Sequence, residues 1–123
     1  MITGVKLVTA TIVKAPSGYV SFSCRGHAGF MKKGKDIVCS AISTLTINTA
    51  NSIMTLTQSK INVNENDGFI SWTFEDIPCH DATLLMDSML IGLRSVEEEY
   101  GKYLTVIIEE VSDVKVKPSV ICS

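Results

Sequence analysis

"GYVSFSCRGHAGFMKKGKDIVCSAISTL", residues 18–45, changes its periodicity part-way along. Tyr19, Phe22 and Cys24 stand among serines in the near-alternation of a half-buried strand. After Asp36 the apolar residues fall at helical spacing instead, through Ile37, Ala41 and Leu45. Between the two patterns Gly26, Gly29 and Gly34 punctuate a loop that runs to Lys35. Asp36 is a good N-cap and is expected to open the helix, which would set Cys39 at the third helical position. A strand, a glycine-containing loop and a helix therefore form the central unit.

Upstream, residues 5–13 are rich in Val, Ile and Thr and read as a strand. Pro16-Ser17-Gly18 is a turn signal, so the chain opens with a hairpin. Downstream, residues 37–59 contain no charge. Twelve of these 23 residues are Ser, Thr, Asn or Gln, which argues against a membrane helix. A helix that avoids charge all round is expected to be buried on most sides, by a sheet and by a second helix or a partner subunit. Ile37, Ala41, Leu45 and Asn48 form one side; Val38, Ile42, Ile53 and Met54 widen it.

Residues 61–63 and 69–74 read as strands joined at Glu65-Asn66-Asp67-Gly68, where Asp-Gly marks a tight turn. Ile70, Trp72 and Phe74 share one face. Residues 81–100 read as a helix with Leu85, Met89, Leu93, Val96 and Tyr100 inward, Glu97, Glu98 and Glu99 solvated and Gly101 as C-cap. Residues 104–111 are a strand. The order β-β-α-β-β-α-β predicts an α+β domain, a two-layer or sandwich arrangement in which a mixed or antiparallel sheet carries two helices. One domain over residues 1–111 is expected, followed by a tail, 112–123, with no assigned role.

The totals fit an ordinary globular chain: 46% hydrophobic and 20% charged residues, with a net charge of -2. That charge gives no basis for direct nucleic-acid or membrane binding. No secretory signal and no stretch approaching a membrane span is expected. The four cysteines are then expected to be reduced, in a cytoplasm. Their positions, 24, 39, 79 and 122, give no CxxC motif.

The chemistry concentrates at His27 and Cys39. In one reading, unpaired amides at the helix start favour a thiolate at Cys39, His27 exchanges the proton, and the same amides hold an oxyanion. Asp36 would orient the histidine, and Ser43, one turn after Cys39, would be a polar neighbour of the thiol. In a second reading Cys24, His27, Cys39 and Cys79 or His80 bind zinc, although Cys24 and His27 tend to opposite faces of a strand end. In a third the glycine loop cradles an anion, although it lacks the Lys-Ser/Thr ending of a P-loop. A cysteine on a buried helix is also a common small apolar filler, so a non-catalytic binding module with Cys39 in its core stays open.

At Gly26-His27-Ala28, then Gly34-Lys35-Asp36-Ile37-Val38-Cys39-Ser40-Ala41 with Ser43 following, the sequence resembles the ribosomal-processing cysteine proteases, the Prp family. Residues 84–100, ending EEEY, are similar to the second helix of that family. The resemblance implies a cytoplasmic endopeptidase that removes the N-terminal extension of a bacterial large-ribosomal-subunit protein, cutting after a Phe-Phe pair. It implies His27 as general base and Cys39 as nucleophile, with Gly26, Asp36 and Ser43 as supporting residues. It further implies a mobile loop carrying Gly29, Phe30, Met31 and Gly34, a homodimer, and neither metal nor cofactor. Phe30, Met31, Lys32 and Lys33 are this chain's own version of the loop, and the tail has no counterpart in the family pattern.

Overall fold

A computed structural model describes residues 8–26, 33–66 and 69–113, with the backbone alone for 33–36. The elements are β1 (Val8–Ala15), β2 (Gly18–Gly26), α1 (Lys33–Leu56), β3 (Ile61–Asn66), β4 (Phe69–Phe74), α2 (His80–Glu99) and β5 (Leu104–Glu110). Their order is the one expected, and the fold is α+β. The sheet runs β3-β4-β2-β1-β5, with β1 and β5 parallel and every other pair antiparallel.

Both hairpins form, although β3 runs on through Glu65 and Asn66, residues expected in the connection. Gly18 closes the first with φ +144, a backbone geometry that a side chain would strain. Asp113 braces this turn, its Oδ1 accepting from the Ser17 amide at 3.0 Å and from Ser17 Oγ at 2.7 Å.

Strand alternation builds one apolar face. Ala10, Ile12, Phe22, Trp72, Leu104 and their neighbours point to the same side and form one core with Val38, Ile42, Ala50 and Ile53 of α1 and Ala82, Met86, Met89 and Leu93 of α2. The Phe22 and Trp72 rings meet at 4.7 Å between centroids and 38°, a tilted contact that adds about 0.5–1.5 kcal/mol to their burial. Two layers result, a sheet and a pair of adjacent helices. Gly92 lets α2 approach α1; a Cβ there would lie 2.8 Å from Leu45 Cδ2.

Helix α1 departs from expectation at its start, its faces and its hydropathy. It begins at Lys33, so Asp36 is inside the first turn rather than its cap, and Gly34 is helical rather than a loop residue. A glycine in a helix costs only about 1 kcal/mol relative to alanine. The buried stripe follows Val38, Ile42, Thr46, Thr49 and Ile53, while Ile37 is 61% exposed. Ile47, Met54 and Leu56 are exposed too, so the sheet and α2 alone do not cover the helix on most sides. Thr46 and Thr49 enter the core because their hydroxyls donate back to the Ile42 and Leu45 carbonyls at 2.9 and 2.7 Å. Because it carries no charge and many Ile, Val, Leu and Ala residues, Ile37–Leu56 does reach the length and apolarity of a membrane span. A core helix passes the same test.

Helix α2 matches its expected span to one residue. Its C-cap is Tyr100, one residue before Gly101, and the Tyr100 amide donates to the Val96 carbonyl. Glu97 is not a solvated charge. Its Oε2 accepts from the Val106 amide of β5 at 2.9 Å, and its Oε1 pairs with Arg94 at 3.1 Å. Cys79, buried just ahead of α2, is disulfide-bonded, which corrects the expectation of four reduced cysteines. A disulfide needs proximity in space and no particular spacing in sequence.

Candidate active site

The end of β2 carries Cys24 and Gly26 to the rim of a cleft of about 250 Å³. Helix α1 supplies Cys39, Ser43 and Ile47 to the same cleft at intervals of four residues, one helical face. The β3–β4 hairpin closes the far side with Glu65, Asn66 and Phe69. Three elements distant in sequence thus converge because β4 pairs with β2 and α1 lies across them.

Cys39 is half-buried. It packs against the core on one side and lines the cleft on the other. Being the seventh residue of α1, it lies beyond the third helical position that an Asp36 cap would have given. The helix dipole is felt within the first turn, so it does less for this thiol than the sequence suggested. Ser43 is exposed at the cleft one turn further on.

Cys24 shares the cleft wall, but its chemistry differs. Burial first, and then the charge of Cys39, push the Cys24 thiol up to about 12. It stays protonated at neutral pH and is a poor nucleophile. Of the two thiols in the wall, Cys39 is the one with access to solvent.

The structure brings together Gly26, Cys39 and Ser43. His27, Gly29, Phe30 and Met31 lie outside the described residues, as does the side chain of Asp36. Cys79, being in a disulfide, is unavailable as the fourth ligand of a zinc site. Glu65, Asn66 and Phe69 were read from sequence only as a turn and a strand start. Their place at the cleft depends on the β2–β4 pairing, for which the hairpin sequence carries no signal. Arg25 stands in register with Phe69 and lies over its ring at 4.8 Å.

Comparison with known proteins bears on this cleft. A family model described as "Cysteine protease Prp" matches residues 7–105. The chain belongs to the Prp family of cysteine proteases. It is 26% identical over 107 residues to the ribosomal processing cysteine protease Prp of Bacillus subtilis (strain 168), covering 81% of this chain and 96% of that one. It superposes with a TM-score of 0.77 on the crystal structure of an essential ribosomal processing protease Prp from S. aureus in complex with a substrate peptide, at 27% identity over 83% of this chain and 99% of that one. Another S. aureus Prp structure, with a covalently linked product peptide, gives 0.75 at 28% identity over the same shares. By class, this Prp-family chain is a cysteine endopeptidase, a hydrolase.

Proposed function

We propose that the chain removes the N-terminal extension of a bacterial large-ribosomal-subunit protein, cutting after a Phe-Phe pair, with Cys39 as nucleophile and His27 as base. The observation that carries this reading is the half-buried Cys39, which opens into one cleft with Ser43 and Gly26. Gly26 is covalently followed by His27, the histidine of the family motif. The match to proteases solved with substrate and product peptides supports a peptide as the occupant.

In this mechanism His27 takes the Cys39 proton, and the thiolate attacks the carbonyl carbon of the scissile peptide. The tetrahedral intermediate collapses to a thioester as His27 protonates the departing amine. Water, deprotonated by the same imidazole, then hydrolyses the thioester and restores the thiol. Gly26 keeps the rim low for the substrate backbone. Ser43 is a polar neighbour one turn from the sulfur, and Asp36 orients His27. Phe30 and Met31, between Gly29 and Gly34, are proposed as substrate contacts.

Residues 1–111 act as the protease domain, in a cytoplasmic homodimer. The dimer reading draws on exposed Ile37, Met54, Leu56, Leu84 and Ile91 on the two helices. Light scattering of the purified chain tests it, and a monomer at micromolar concentration would remove it.

The function is tested by incubating a peptide centred on Phe-Phe with wild type, Cys39→Ala and His27→Ala, and reading products by mass spectrometry. One cut after the second Phe is expected from wild type alone. Cleavage by Cys39→Ala would sink the assignment. Packing of Cys39 against the core favours one other reading, a binding module in which the thiol is filler. Slow alkylation of Cys39 by iodoacetamide at pH 7 in the folded protein would favour it.

A further inference from the structure

Strand β3 is one outer edge of the sheet, and its geometry is that of an unfilled strand position. Asn62, Asn64 and Asn66 stand opposite Thr73, Ser71 and Phe69 of β4. The Glu75 amide donates to the Lys60 carbonyl at 3.0 Å, which makes Lys60 and Glu75 a hydrogen-bonded pair. Antiparallel ladders alternate, so Asn62, Asn64 and Asn66 also spend their backbone groups on β4. The amides and carbonyls of Ile61, Val63 and Glu65 therefore point away from the sheet. Among the described residues nothing accepts or donates to them.

Proteins ordinarily protect such an edge with lysine, proline, a bulge or a covering element. Here INVNEN has neither lysine nor proline, and Asn62–Asn66 are all exposed. The other edge of the same sheet is protected, since Glu97 takes the Val106 amide of β5. The open edge also leads into the cleft. Glu65 and Asn66 line it with Cys39, and Ile47 of α1 stands beside it, 39% exposed.

We propose that β3 is the docking strand for the substrate backbone: an extended peptide adds to its free edge, pairs with Val63 and Glu65, and is thereby led past Cys39. Continuity of the edge with the thiol's cleft selects a peptide as the occupant over a second copy of the chain. Alternate side chains of the added strand would face the helix layer, toward Ile47 and Ser43, as those of Ile61, Val63 and Glu65 do. Main-chain pairing would supply affinity, and the cleft, with Ile42 and Ile47 beside Ser43 and Thr46, would select side chains. This inference rests on the peptidase reading, since it takes a peptide as the ligand.

The test is amide hydrogen exchange, by NMR, on full-length Cys39→Ala with and without an uncleaved peptide centred on Phe-Phe. Binding is followed separately by fluorescence anisotropy. Exchange at Val63 and Glu65 is expected to slow at least about tenfold on peptide addition, with little change at Asn62 and Asn64, which are already paired. In wild type, Val63→Pro is expected to raise KM about tenfold with kcat nearly unchanged, because it removes an outward amide and none of the β3–β4 bonds. Substrates N-methylated at successive residues are expected to lose affinity at every second position. Peptide bound with Val63 and Glu65 unchanged would overturn the proposal, as would no binding at all. So would protection that rises with protein concentration in the absence of peptide, the mark of β3 pairing with a second copy. Failure of wild type to cut a peptide that does protect Val63 would instead count against the peptidase reading and leave the docking strand standing.

Discussion

The two edges of this sheet are treated in opposite ways. At β5, α2 reaches over with Glu97 and ties down the Val106 amide, and Arg94 holds the carboxylate in place. At β3, nothing among the described residues covers the outward amides, and the strand is exposed almost end to end. The protected edge lies beyond β1, on the far side of the sheet from the cleft; the open edge leads into it. An unprotected edge is an aggregation hazard, and among the described residues only the β5 edge is shielded. The same asymmetry separates the two thiols of the cleft wall. Cys24 is sealed and pushed up to about 12, while Cys39 keeps contact with solvent.

The strongest way to break this contrast is at the thiols. Cys39→Ala is expected to lower kcat on the order of a thousandfold or more, as loss of a nucleophile does, with far-UV circular dichroism unchanged. Cys24→Ala is expected to keep activity within a few-fold while costing about 1–2 kcal/mol in urea unfolding through the lost packing. Equal losses of activity from the two would erase the distinction.

A second contrast is pH dependence. The folded thiol of Cys24 titrates near 12, and an unfolded cysteine near its ordinary value of about 8.5. Between those values the folded state binds more protons than the unfolded one, so stability falls as pH rises. The contribution is complete below about 8.5 and is lost by about 12. Tyr19 adds to the same trend, because burial and then its hydrogen bond to Asp87 hold its phenol above the usual range. Urea midpoints from pH 7 to 10.5 should fall, and fall less in Cys24→Ala. An unchanged slope in that variant would contradict the buried thiol.

The closed edge can be opened. Glu97→Ala strands the Val106 amide and should cost about 1–3 kcal/mol, with increased self-association by light scattering. Glu97→Gln keeps an acceptor and should cost less. The smallest effect is expected at the exposed turn brace: Ser17→Ala removes the 2.7 Å bond to Asp113 yet should shift stability by no more than about 0.5 kcal/mol.

Much of the fold was legible in the sequence because its signals are local. Alternation at Ile70, Trp72 and Phe74, the Pro16-Ser17-Gly18 turn and the helical spacing through Met89 and Leu93 each belong to one element. Contacts between elements were not legible. Glu97 reads as one of three solvated glutamates until β5 is laid beside it. The side of α1 that meets the sheet runs through Thr46 and Thr49, whose hydroxyls bond within the helix, so a polarity pattern points to the wrong face at Ile37. The helix start was misplaced at Asp36 because a good cap residue also tolerates the first turn. The site was half legible. Cys39, Ser43 and Gly26 carry the family motif and do meet in one cleft, whereas Glu65, Asn66 and Phe69 join it only through strand pairing.

The most direct measurement is to trap the acyl-enzyme. Wild type mixed with the Phe-Phe peptide, quenched in acid within the first turnover and digested, should carry the N-terminal product as a thioester on Cys39, with Cys24 unmodified. Cleaved peptide with no adduct on either thiol, or an adduct on Cys24, would contradict the assignment of Cys39 as the nucleophile of this cleft.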